Sequence, residues 1–252
     1  MATPMPFVIA GAPGAIFWAP LLGLLAGAIV TLVARSLPAR GRLVARPVCA
    51  RCDGDLPWPA VSATARMLGF KRACPTCHGG PMPGDVWLEV GTALAFTVLA
   101  LRWPAGPTLA VHLAYAALLM VILAIDLRHR EVYLLLGYGG VVAALALAPL
   151  SMSGAIKNAA FGGAIGAAVF GLIYLVGRVL YRGREPLGSG DITIAALLGA
   201  MAGFPGVVTA LTYGILAGGI SAAFVMLRRQ SRHTFIPYGP ALCIGGLLAL
   251  LG

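Results

Sequence analysis

Charge is scarce in this sequence. Asp, Glu, Lys and Arg make up 10% of its 252 residues, against about 25% in a soluble domain. So few ionised groups cannot cover a water-exposed surface. The 60% of hydrophobic residues arrive in blocks rather than as amphipathic stripes, the pattern of helices buried in lipid or in a membrane bundle. Also missing is any basic residue ahead of the first apolar run, whereas many follow it. That layout is the reverse of a cleaved signal peptide, so a retained anchor is expected. The 34 glycines would weaken soluble helices, but small residues let membrane helices approach closely.

About eight apolar segments are present, at 7–33, 86–101, 108–125, 132–149, 155–180, 192–202, 207–227 and 236–251, several below the ~20 residues of a full span. The sixth is the shortest, and Gly203-Phe204-Pro205-Gly206 predicts a tight turn into the seventh. A partial span with its start recessed from the surface follows. Basic residues cluster after the first, third, fifth and seventh segments. Of 18 in total, only Arg102 and Lys157 fall in the other connections. This positive-inside alternation supports eight spans independently of hydropathy, faces both termini outward and makes residues 34–85 a cytoplasmic loop. It also accounts for the +10 net charge without nucleic acid. The expected fold is all-α: a polytopic membrane helix bundle of about eight transmembrane helices. It comprises a first helix at 1–33, a small four-cysteine zinc-knuckle domain at 34–85 and a membrane-embedded domain at 86–252.

The loop contains Cys49-Ala-Arg-Cys52 and Cys74-Pro-Thr-Cys77. Two such pairs can supply four thiolates to one tetrahedral zinc ion. Free or redox-active thiols are the alternative reading. A reducing cytoplasm disfavours disulfides, and a closed four-sulfur site has no open coordination position, so Zn2+ held by Cys49, Cys52, Cys74 and Cys77 would be structural. Cys243, alone in the last segment, reads as a small packing residue.

With only eight acidic residues, each can be weighed. Solvated or turn roles suffice for Asp53, Asp55 and Asp85, and interfacial ion pairs for Glu89, Glu131 and Glu185. Asp126 and Asp191 differ. Asp126 ends the third segment in Ile122-Leu-Ala-Ile-Asp126, and Asp191 opens the sixth in Gly188-Ser-Gly190-Asp191, so both fall at cytoplasmic helix ends. Helix capping is the bland alternative for Asp191, and pairing with Arg128 or Arg130 for Asp126. Ionisable groups at membrane depth are nonetheless functional candidates by default. Two carboxyls held close in a low-dielectric site share a proton, one activating water and the other polarising a carbonyl. Gly188 and Gly190 would let an extended substrate backbone approach Asp191.

With these features in hand, the chain resembles the type IV prepilin peptidases, a group of Gly-x-Gly-Asp membrane aspartyl proteases. The resemblance rests on Gly23-Leu-Leu-Ala-Gly27 with Arg35-Ser-Leu-Pro38, the paired cysteine knuckles, Leu56-Pro-Trp58 and Trp87-Leu-Glu89, the two aspartates, and Ile236-Pro-Tyr-Gly-Pro240 before the last segment. It implies that Asp126 and Asp191 are the catalytic pair and that the substrates are type IV prepilins or pseudopilins. Their leader would be cut after a glycine at the cytoplasmic face of the bacterial inner membrane. It further implies N-methylation of the new terminus from S-adenosylmethionine. Two departures stand out. Val132-Tyr133-Leu134 replaces the family's Leu/Ile-Pro-Asp, and Ile192-Thr193 follows the Gly-x-Gly-Asp where x-Lys is usual.

Two other readings compete. A divergent, catalytically impaired assembly factor for a pilus or secretion system would keep the fold and lose cleavage. A proton-coupled transporter would use the same carboxylates, but transport sites prefer the midplane. The sequence leaves the oligomeric state open.

Overall fold

A computed structural model describes residues 14–40, 47–49, 51–52, 54–69, 74–130, 133–180, 188–227 and 238–252. Outside them lie the first part of the opening segment, Val132 of the family departure, Ile236 and Pro237, the acidic residues Asp53, Glu131 and Glu185, and several members of the basic clusters: Arg42, Arg46, Lys71, Arg72, Arg182, Arg184, Arg228, Arg229 and Arg232.

The protein is an all-helical, multi-pass membrane protein. Its helices are α1 (Ala15–Arg40), α2 (Ala63–Met67), α3 (Pro83–Arg102), α4 (Pro107–His129), α5 (Leu134–Leu147), α6 (Ile156–Leu180), α7 (Ser189–Leu227) and α8 (Gly239–Ala249). Among the described residues, five helices are long and apolar enough to cross a membrane: α1, α3, α4, α6 and α7. Helices α5 and α8 are shorter but equally apolar. The described part of each expected apolar segment therefore contains a helix, with the sixth and seventh sharing α7.

The chain divides into two compact units, Met1–Ala124 and Ile125–Gly252. In the first, α1 packs on α3 because Gly23 and Gly27 let the backbones meet. A Cβ at Gly27 would lie 2.7 Å from the Cα of Glu89. The opposite face of α1 leaves Phe17, Leu21, Leu25 and Ile29 exposed, one per turn, a stripe that suits lipid and not water. Helix α1 also runs beyond the expected end of its segment, carrying Arg35-Ser-Leu-Pro38 inside its last turns.

Two acidic residues of this unit correct the sequence reading. Asp85 is not solvated: it is 1% exposed and ion-paired with Arg35 of α1. Glu89 is not in an interfacial ion pair. It is fully buried and accepts hydrogen bonds from the amides of Ala63 (2.7 Å) and Thr64 (2.9 Å) and from the Ser62 hydroxyl (2.9 Å). These are the orphan donors at the start of α2, and a carboxylate suits a helix N-terminus electrostatically. Ser62 meanwhile accepts from the Ala65 amide. Through Arg35 and Glu89, both long helices therefore grip the cysteine loop.

In the second unit, α6 and α7 cross through small residues. Gly162 and Gly166 face the carbonyls of Gly199 and Ala195, with no room for a side chain between them. Helix α7 is broken where the Gly-Phe-Pro-Gly turn was expected. Gly203 has φ 64° and Phe204 is extended, a geometry that only glycine adopts readily at 203. Asn158 of α6 holds this break, accepting from the Phe204 amide (3.0 Å) and donating to the Ser153 carbonyl (2.9 Å). The first limb, 189–202, is about 21 Å long at 1.5 Å per residue, short of the ~30 Å hydrocarbon core.

Candidate active site and candidate metal centre

The structure brings the four loop sulfurs together. Cys49 Sγ lies 3.7 Å from Cys77 Sγ and Cys52 Sγ 3.8 Å from Cys74 Sγ, and all four lie within 4.8 Å of one another. Four sulfurs at 2.3 Å from a tetrahedral zinc sit about 3.8 Å apart. This donor set therefore fits a metal ion without rearrangement.

The two knuckles are built alike. In each, the first cysteine's amide donates to the carbonyl of a glycine five residues on: Cys49 to Gly54 (2.8 Å) and Cys74 to Gly79 (3.0 Å). Each glycine also faces the other knuckle. A Cβ at Gly54 would lie 3.0 Å from Thr76 Oγ1, and one at Gly79 would lie 2.8 Å from Arg51 Cδ. This shared Cys-x-x-Cys-x-Gly pattern was present in the sequence, although only the cysteines had signalled the site. A single antiparallel bridge between Val48 and Asp55 supports the first knuckle, and Arg35 donates to the Val48 carbonyl at 3.1 Å. The thiols are not equivalent. The amides of Cys77 and Thr76 bring Cys74 down to about 6. At Cys52 the Gly54 amide acts in the same sense, but the Cys77 side chain, desolvation and the other two sulfurs outweigh it and push the thiol up to about 12. Four crowded thiols cannot all ionise alone; a divalent cation removes that obstacle.

The two aspartates come together in the second unit. Asp126 is 5% exposed in the last turn of α4 and Asp191 7% exposed in the first turn of α7, where the Asp126 charge reaches it. Helix α4 closes just beyond Asp126, where Arg130 adopts φ 54° and its amide donates to the Asp126 carbonyl at 2.9 Å. This left-handed cap also puts the Arg130 charge within reach of the Asp126 carboxylate.

At α7 the expected capping is present: Asp191 Oδ2 accepts from the Gly188 amide at 3.2 Å, and the Asp191 amide donates back to the Gly188 carbonyl at 3.1 Å. Capping and burial beside a second carboxylate thus coexist. Gly188 leaves space on this side, since a Cβ there would meet Asp191 Oδ2 only at an ordinary 3.6 Å; Gly190 is half-buried next to it.

Helix α8 also borders the pair. Gly239 lies directly against the Asp126 carboxylate, and its missing side chain is also 3.2 Å from Ile194 Cδ1. Cys243, one turn on, is fully buried and lies in the field of both carboxylates. Tyr238, just before Gly239, has its phenol within reach of the Asp191 charge; the sequence reading quoted its segment without assigning it to the site. Thr193 is 5% exposed and packs its methyl group on Gly137 of α5.

Fold and site together define a helical membrane protein with a buried carboxylate pair and a separate four-thiol centre. Residues 113–223, which include both aspartates, match the model of the type IV leader peptidase family. The chain is 30% identical over 264 residues to the prepilin leader peptidase/N-methyltransferase of Pseudomonas aeruginosa, covering 92% of this chain and 88% of that one. It belongs to that family. The Myxococcus xanthus protein of the same name is 30% identical over 210 residues, with 82% of this chain and 62% of the relative covered. A type 4 prepilin-like proteins leader peptide-processing enzyme from Escherichia coli is 29% identical over 189 residues, covering 73% and 66%. No solved structure matches.

Proposed function

We propose that the chain is an integral-membrane aspartyl endopeptidase that removes the leader peptide of type IV prepilins or pseudopilins, with Asp126 and Asp191 as its catalytic pair. The observation that carries this reading is the burial of two carboxylates, on separate helix ends, with Asp191 in the field of Asp126. One carboxylate, ionised, takes a proton from the water that attacks the scissile carbonyl. The other, protonated, hydrogen-bonds the carbonyl oxygen and then supplies the proton that the leaving amine needs. The pair titrates as a unit, so neither role belongs to one residue alone. Substrate backbone approaches along Gly188 and Gly190, where no side chain intervenes.

The protein resides in the bacterial inner membrane with the pair at its cytoplasmic face, the orientation favoured by the basic residues. Residues 34–85 form a cytoplasmic module on the first span, with Cys49, Cys52, Cys74 and Cys77 holding a structural zinc ion. The relatives' names also suggest methyl transfer to the new N-terminus, with S-adenosylmethionine as donor. The deciding experiment co-expresses a prepilin with this protein or with its Asp126→Asn or Asp191→Asn variant. Processing by the parent alone is expected; equal processing by all three sinks the proposal.

A second reading, an assembly factor without cleavage, draws on Thr193. That side chain is buried against α5, so a lysine there would have to leave this seat. No processing by the parent, with processing by Thr193→Lys, would favour it.

A further inference from the structure

We infer that Arg35 and Arg66 are positioning residues of the four-thiol centre, each fixing the backbone of one knuckle so that the four sulfurs meet. This rests on the reading of Cys49, Cys52, Cys74 and Cys77 as metal ligands.

Each arginine ends on a backbone carbonyl that belongs to a knuckle. Arg35 of α1 donates to the Val48 carbonyl at 3.1 Å. Val48 directly precedes Cys49 and forms the bridge with Asp55. Arg66 of α2, 3% exposed, donates to the Gly79 carbonyl at 3.2 Å. That same carbonyl accepts from the Cys74 amide at 3.0 Å, the bond that closes the second knuckle. Hydrogen bonds from a guanidinium are stronger than neutral ones, so both carbonyls are firmly held.

The two arginines are in turn placed by α3. Asp85 ion-pairs with Arg35. Glu89, four residues on and therefore on the same helix face, accepts from the amides of Ala63 and Thr64 at the start of α2. A helix of five residues is not stable alone, so Glu89 and the Ser62 cap decide where Arg66 stands. One face of α3 thus addresses both knuckles: Asp85 the first through Arg35, Glu89 the second through α2 and Arg66. Register between the knuckles matters because the close sulfur pairs run across them, Cys49 with Cys77 and Cys52 with Cys74. Ligands held in register before the metal arrives bind it without a further ordering cost.

The test measures the Zn2+ affinity of the full-length protein in detergent, by competition with a chromophoric chelator. Thermal unfolding of the zinc-free protein is followed alongside. Arg66→Met removes the donor and should weaken zinc binding about tenfold, the scale of one hydrogen bond from a charged group. Arg66→Lys keeps a charged donor and should recover part of that loss. Arg35→Met with Asp85→Leu removes the Val48 hydrogen bond without stranding a charge. This double variant should melt close to the parent and still bind zinc about tenfold more weakly, a split that a purely structural role would not produce. Parent-like zinc affinity in Arg66→Met or in the double variant overturns the inference, whatever happens to the melting. Cys49→Ser is measured as the control for the metal reading. If it binds zinc weakly while the arginine variants match the parent, the inference alone fails. If it binds zinc as tightly as the parent, the cysteines are not the ligands and the inference falls with that reading.

Discussion

The backbone of Gly239 lies directly against the carboxylate of Asp126, so closely that a Cβ at position 239 would overlap Oδ2. Alanine at this position fits only if the Asp126 side chain or the start of α8 moves. Displacement of a reacting group by about 1 Å costs about a hundredfold in rate. Gly239→Ala is therefore expected to lower prepilin processing about a hundredfold while the protein still elutes as a folded species. Undiminished cleavage would show that the position of Asp126 does not matter to the reaction.

A second prediction concerns the buried ion pair of Arg35 with Asp85. Removing one partner leaves the other charge without its counter-ion in a largely buried place, and such single losses cost about 3–5 kcal/mol at buried pairs, whereas replacing both with apolar groups is often nearly neutral. Asp85→Leu alone should lower the thermal unfolding temperature in detergent markedly, and Arg35→Met with Asp85→Leu should recover most of it. Equal destabilisation in the single and double variants would mean that the contact contributes through shape rather than charge.

The sequence exposed the features written in local chemistry. Long apolar blocks have few alternatives to helices, Gly203-Phe204-Pro205-Gly206 is a turn wherever it falls, and two Cys-x-x-Cys pairs bring four sulfurs to one point. Asp126 and Asp191 were visible as carboxylates at helix ends, and the fold brings them together in one unit. Glu89 and Asp85 were misread because their partners are set by tertiary structure. Ser62, Ala63 and Thr64, which meet Glu89, belong to a five-residue helix and its cap without apolar periodicity, and Arg35 was counted as a loop charge although it is on α1. Tyr238 escaped for a related reason. Its ring fills the space left at Gly218, where a Cβ would lie 2.8 Å from Tyr238 Cζ, and a glycine that far along the chain looks like any other small membrane residue.

The break in α7 gives a third prediction. Asn158 satisfies the Phe204 amide and the Ser153 carbonyl with one side chain, and both backbone groups sit where helical bonding is interrupted. Asn158→Ala removes both hydrogen bonds, at about 1 kcal/mol for each. Asn158→Asp keeps the acceptor and should fall between parent and alanine in thermal stability. Gly203→Ala should be worse than either, since φ 64° disfavours a side chain and the new Cβ would meet Asn158 Nδ2 at 2.7 Å. Parent-like melting of Asn158→Ala would show that water or lipid headgroups replace the asparagine.

The fourth prediction separates the two knuckles. Purified protein should carry about one zinc ion per chain, with Cys49→Ser or Cys74→Ser reducing it sharply, because a tetrahedral site that loses one thiolate binds more weakly. Zinc should also be lost as the pH falls, since the ligands must be deprotonated to bind. Chelation should make residues 47–79 sensitive to protease, since so small a module has little core of its own beyond Leu56 packed with Cys49 and Cys74. The glycines offer the sharper test. A Cβ at Gly54 would press on Thr76 Oγ1 at 3.0 Å and Cys52 Sγ at 3.3 Å, whereas one at Gly79 would press on Arg51 Cδ at 2.8 Å and Cys77 Sγ at 3.2 Å. The long, exposed Arg51 side chain can swing aside; Thr76 is short, and its Cβ, 3.4 Å away, is tied to the backbone of the opposing knuckle. Gly54→Ala should therefore weaken zinc retention against a competing chelator more than Gly79→Ala. Reversal of that order would mean that Arg51 is fixed in place and helps to hold the second knuckle.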